Sequence, residues 1–267
     1  MKKTQSFVPR LAACAIALAF AASTLHVTAQ TTADFGAKVL RLKGSARYSV
    51  AGRPWQDVQV GDIIPSGATI QTGREGSSVD FIIGPSSAPA PQPVVANVFF
   101  DPSDRQTLNV VRVFENSVLA IDKMTSTQTG AEEVSDTQLN LQAGRIMGSV
   151  RKLSGASRYE VKIPNGVAGI RGTVYSLSAA GIVHCLVGSV VMAVVGSDGK
   201  VTTQEVLGKQ KYDISTGLIT TIPAVELRDL LKVYLQLYGT GATPPVQVVP
   251  NETISYVSPV TPGGSKP

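Results

Sequence analysis

Val60-Gly61-Asp62-Ile63-Ile64-Pro65-Ser66-Gly67-Ala68-Thr69-Ile70-Gln71-Thr72-Gly73 and, further along the chain, Asn165-Gly166-Val167-Ala168-Gly169-Ile170-Arg171-Gly172-Thr173-Val174-Tyr175 decide the fold. In both, glycine punctuates short β-branched runs. Glycine serves where the chain turns at positive φ or passes close to a neighbouring strand, so the pattern reads as stacked short strands.

Working outward, the same grammar recurs. Ala46, Tyr48 and Val50 alternate with Arg47 and Ser49; Val79, Phe81 and Ile83 with Ser78 and Asp80; Tyr159, Val161 and Ile163 with Arg158, Glu160 and Lys162. Each segment offers one face to a core and one to water. Further strand-like runs cover residues 139–143, 145–150, 174–178, 182–187 and 190–195, and turn chemistry separates them.

Two stretches break the pattern. Residues 84–97 read GPSSAPAPQPVVAN, whose prolines lack the donors a central strand needs, so an insertion is expected over about 84–107. Residues 239–267, rich in proline, glycine, threonine and valine, are expected to be mostly disordered. Between the β region and that tail, Leu227, Leu230, Leu231, Tyr234 and Tyr238 recur at helical spacing after Pro223 and before Gly239. This predicts an amphipathic helix over 222–238 whose apolar stripe packs on the β domain or on a partner.

The beginning of the chain reads as a signal peptide over residues 1–29. Lys2, Lys3 and Arg10 precede an apolar run, and Val27-Thr28-Ala29 supplies small residues for cleavage before Gln30. Cys14 stands at the start of the apolar run, not after it, which argues against lipidation. No stretch approaches the ~20 apolar residues of a membrane-spanning helix, so the expected location is the periplasm or outside the cell. Three of the 24 basic and none of the 19 acidic residues lie in residues 1–29, so the net charge falls from +5 to +2 without them.

Catalytic chemistry finds little support. Beyond residue 29 the one histidine is His184 and the one cysteine Cys185, adjacent in a strand-like run and therefore on opposite faces, where they cannot readily pair. No ligand spacing points to a metal, and no phosphate or dinucleotide fingerprint to a cofactor, so none of these is expected. Charge is more suggestive. Arg145, Arg151, Lys152, Arg158, Lys162 and Arg171 face the single acid Glu160 between Gly144 and Gly172. Arg151, Lys152 and Arg158 are the candidate contacts to an anionic partner surface. Nucleic acid is not expected, because stacking aromatics are missing from this segment.

The order of these signatures resembles the FecR domain, the extracytoplasmic module of a family of bacterial regulators. The resemblance runs over about 36–215. It rests on Trp55, the Gly61-Asp62 turn, Gly67 through Thr72-Gly73, Asn116-Ser117, Gly144-Arg145, Arg171-Gly172-Thr173, Gly188-Ser189-Val190 and Gly208-Lys209-Gln210. It implies an all-β domain of stacked short strands, β-solenoid or sandwich-like, with Gly61, Asp62, Gly67, Thr72, Gly73, Arg171, Gly172 and Thr173 as signature turns. The family's regulators place an anti-sigma segment and a membrane helix before this domain; here a signal peptide is read in that place. The implied function is a non-enzymatic recognition or scaffold module binding an envelope protein, such as the signalling part of an outer-membrane receptor. The alternative is a structural protein bound to an anionic cell-wall polymer.

Overall fold

The computed structural model describes residues 35–74, 76–85, 109–129, 132–196 and 198–238. The expected signal peptide, most of the proline-rich insertion and the tail lie outside the described residues. The described residues are mostly β, with sixteen strands in one strongly curled sheet and a single helix, at their C-terminal end.

The sheet is best understood as two limbs that share a crease. The first limb contains β1 (Phe35–Lys43), β4 (Ile63–Ile64), β6 (Ser78–Pro85), β7 (Asn109–Val113), β10 (Arg145–Ser149), β15 (Gln210–Asp213) and β16 (Leu218–Thr221). The second contains β2 (Ala46–Val50), β3 (Gln56–Asp57), β5 (Ala68–Thr72), β8 (Val118–Thr129), β9 (Glu132–Ala143), β11 (Arg158–Ile163) and β14 (Val201–Leu207). Two long strands, β12 (Gly166–Ser178) and β13 (Ile182–Val195), run through both limbs. The early part of β12 pairs with β11 and its late part with β10, while β13 pairs with β15 first and β14 afterwards. The pairings are antiparallel except that of β9 with β11. The result is the expected all-β domain, as one strongly curled half-barrel sheet of mixed pairing.

The crease is built by glycine and hydroxyl side chains. At Gly172 (φ +65°) the β12–β13 register slips, the mark of a bulge that turns a strand from one sheet layer to another. Opposite it, Gly188 (φ +83°) bends β13 at the same level, which is why the two runs expected at 182–187 and 190–195 are one strand. Hydroxyls bridge the backbone along this line. Thr173 Oγ1 donates to Ser189 O at 2.7 Å, Thr72 Oγ1 donates to Phe114 O at 2.5 Å, and Arg145 N donates to Ser117 Oγ at 3.0 Å.

The main core lies between the limbs. Val39, Phe81, Val111, Ile146 and Leu177 from the first meet Ile70, Leu119, Leu139, Val161 and Met192 from the second in one buried cluster. Tyr159 and Tyr175 approach hydroxyl to hydroxyl across it at 3.4 Å. A second cluster occupies the other face of the first limb, where Ile82, Val110, Phe114, Met147, Val174 and Leu186 receive Ile222, Leu230, Tyr234 and Leu237. The last three belong to α1 (Ala224–Tyr238), so the amphipathic stripe packs on the β domain. Asp80, expected to face water, is 2% exposed because the helix covers that side of β6. Among the described residues no helix is long and apolar enough to cross a membrane.

Candidate functional site

The signature turns serve the fold. Gly61 N donates to Val39 O at 2.9 Å, and Asp62 Oδ2 accepts from Gln59 N at 2.8 Å, closing the turn before β4. Gly67 N donates to Ile121 O, and Gly73 N to Ser45 O. Thr72, Gly73, Gly172 and Thr173 all stand on or beside the crease, with Asn116-Ser117 and Gly144-Arg145. These residues hold the limbs together at a line; none of them presents a cluster of free polar groups. Trp55 is half-exposed at the second limb's margin, with the Arg47 guanidinium 4.6 Å above its ring.

Of the candidate contacts, Arg151 and Lys152 line a shallow pocket with Glu132, Glu133, Leu153, Ser154 and Ser157, and Arg158 lies outside that lining. The chain between β10 and β11 forms it, anchored by reciprocal backbone bonds between Val150 and Thr173. Ser154 and Ser157 share a hydroxyl contact of 2.9 Å. Arg151 is ion-paired to Glu133. Burial pushes the Glu133 carboxyl up, but hydrogen bonds from Arg151 and Ser126 outweigh it and hold the group below the usual carboxylate range. Arg158 approaches Glu160 at 3.6 Å, Lys162 lies 3.0 Å from Asp122, and Arg145 stacks 4.0 Å above the Phe114 ring. Arg145, Lys152 and Arg171 are the exposed cations of this segment with no ion pair among the described residues, and of these Arg145 has the Phe114 ring beneath it. The backbone of Lys152 runs beside Gly172, which puts Lys152 and Arg171 close together.

His184 and Cys185 point to opposite faces, as their adjacency in a strand requires. Cys185 lies in the inter-limb core, where burial pushes its thiol up to about 12. A thiol that stays protonated is a poor nucleophile. His184 faces α1, and its Nε2 meets Glu226 Oε1 at 2.8 Å while Lys211 Nζ approaches the same oxygen at 3.3 Å. Burial lowers the His184 pKa below its ordinary value, and the Glu226 carboxylate offsets part of that shift.

The polar anchors of α1 were not visible in the sequence. Arg112 grips Asp80 with two hydrogen bonds of 2.6 and 2.8 Å, and Arg41 lies 3.0 Å from the same carboxylate. The two arginines also reach the helix: Arg41 donates to Leu237 O at 2.6 Å and Arg112 to Gln236 Oε1 at 2.8 Å. The one available signal was the ionisable Asp80 between apolar neighbours. Among the described residues, no group of three or more His, Cys, Asp or Glu side chains is placed to hold a metal ion.

No curated protein matches the chain. Two crystal structures of a "putative anti-sigma factor" from Parabacteroides distasonis ATCC 8503 resemble it at 11% sequence identity, with TM-scores of 0.31 and 0.30. Each match covers 62% of this chain and 62% of that one, a likeness too distant to assign any residue. A family model described as FecR protein matches residues 106–191. The stretch holding Asn116-Ser117, Gly144-Arg145, Arg171-Gly172-Thr173 and the basic segment is therefore the part of this chain that matches the FecR protein family.

Proposed function

We propose that the protein is a non-enzymatic, FecR-like recognition or scaffold module of the periplasm or cell exterior that binds an envelope protein and takes part in signal relay. The observation that carries this reading against the polymer-binding alternative is the state of the basic segment. Arg151, Arg158 and Lys162 each have their own carboxylate neighbour and Arg145 lies over the Phe114 ring, so Lys152 and Arg171 are the two of the six that protrude with neither contact among the described residues, too few for a field of free cations. A polyanion needs many unneutralised cations, whereas a protein partner needs a shaped surface with a few charges at its rim. The FecR match supports the envelope setting, since proteins of that family relay signals with envelope proteins.

The test uses isolated envelope fractions, either protease-treated or treated with glycan-degrading enzymes, at two ionic strengths. Capture of the chain should be lost after proteolysis, survive glycan digestion and weaken only modestly in salt. Lys152→Glu and Arg158→Glu should slow association. Capture that resists protease and collapses with salt would replace this reading with the polymer-binding one.

A further inference from the structure

Among the described residues, strand β14 pairs with β13 on one side and with no strand on the other. Its register with β13 is unbroken from Ser189↔Leu207 to Val195↔Val201. A row of unpaired backbone donors and acceptors is a template for another strand, and sheets usually blunt it with proline, lysine or a bulge. Val201-Thr202-Thr203-Gln204-Glu205-Val206-Leu207 has none of these. The face beside the edge also carries apolar side chains. Val201 is 64% and Leu207 49% exposed, next to Val191 at 44% and Val195 at 53% on β13. On this face Val195 stands directly opposite Val201, and Leu207 lies diagonal to Val191, so apolar side chains mark both ends of the edge with Thr203 and Glu205 between them.

The sequence of β14 is complementary to itself. In an antiparallel pair centred on Gln204, Val201 stands opposite Leu207 of a second copy, Thr202 opposite Val206 and Thr203 opposite Glu205. Glu205 is the single charged residue of the strand, so no like charges face each other. The same geometry applies from both sides, which is the condition for a closed twofold contact that does not propagate. We infer that β14 pairs with β14 of a second copy, giving a dimer with a sheet continuous across its axis and the apolar ends of the two edges side by side. Pairing of two seven-residue edges leaves the outward faces open and buries less than the roughly 1,200 Å² of a standard stable interface, so the dimer should dissociate on dilution into the micromolar range.

Light-scattering mass of the purified chain across a dilution series from roughly 100 μM to 1 μM tests this. The expected result is a dimer at the top of the series that falls to monomer on dilution. Val201→Lys with Leu207→Lys, and separately Thr203→Pro, should be monomeric throughout, whereas Leu218→Lys on another open edge strand, β16, should dimerise normally. In a chain beginning at Gln30, which leaves out Cys14, Gln204→Cys should form a chain-to-chain disulfide on mild oxidation, while the same chain without the substitution, whose Cys185 is buried, should not. The proposal is overturned by a monomer at 100 μM, by a dimer indifferent to the lysine substitutions, or by dimer loss with Leu218→Lys. The lysine pair lies on exposed positions, so it keeps the test valid where the proline variant fails to fold. This outcome is independent of envelope capture.

Discussion

A β-carbon added at Gly188 would sit 2.4 Å from the carbonyl oxygen of Gly172, in a backbone already at φ +83°. At Gly172 the nearest atom would be the Lys152 Cα at 3.5 Å, an ordinary contact, so only the positive φ opposes a side chain there. The Arg-Gly-Thr element is legible in sequence, but its cause is the bend of β12 and not the close approach of another strand. The two sites should therefore rank. Gly172→Val should cost roughly 1–3 kcal/mol from backbone strain, and Gly188→Ala at least as much because it adds a clash with backbone. Chemical denaturation of both variants checks the order. His184 gives a pH prediction with a definite sign. Its folded pKa is below 6.5, so the unfolded chain takes the proton first, and stability falls as pH drops through 6.5 toward the folded value. His184→Gln should flatten that slope between pH 7 and 5, measured by denaturation midpoints. A slope unchanged by the substitution would assign the dependence to other groups.

Helix α1 was readable as an element because its apolar spacing is regular, yet its partners were not. Alternation along β6 identifies two faces but cannot say that a helix distant in sequence covers the second, so Asp80 read as a water-facing residue. In the fold it is the buried carboxylate that organises Arg41 and Arg112 against the helix. Removing one partner from such a group leaves charge uncompensated, at a typical cost of about 3–5 kcal/mol. Asp80→Ala should fall in that range and speed hydrogen exchange in α1 selectively. Tyr234, 1% exposed, and Leu235, 39% exposed, offer a second comparison on the same helix. Tyr234→Ala should lose about 3 kcal/mol or more, and Leu235→Ala less than about 1 kcal/mol. Similar losses at both would mean that α1 does not dock through this face.

The limbs bury a single cluster between them, and β12 and β13 belong to both. A domain built this way should unfold in one step. Trp55, the sole tryptophan, reports on the margin of the second limb, while far-ultraviolet dichroism includes α1 on the first. Their denaturation curves should superimpose; separated midpoints would show limbs that melt independently. At this scale the sequence revealed strands, turns and the helix stripe through local periodicity. It did not reveal the crease, because Gly144, Gly172 and Gly188 each look like an ordinary turn until strand pairing shows them in a line. The basic segment was legible as charge, but its neutralisation by Glu133 and Asp122 depends on strands paired or packed far from it in sequence.

The pairing of Ile83 with Asn109 has a consequence for the length of this chain. Strands β6 and β7 are direct antiparallel neighbours, so the segment between them leaves and returns at adjacent points on one rim of the sheet. Its two ends are fixed whatever its contents, and closing a chain between fixed ends costs free energy that grows only logarithmically with its length. Replacing residues 86–108 by a four-residue turn should therefore preserve the fold and raise its stability by roughly 1–2 kcal/mol. By the same logic, this rim can receive foreign sequence, an epitope or a small reporter, at little thermodynamic penalty.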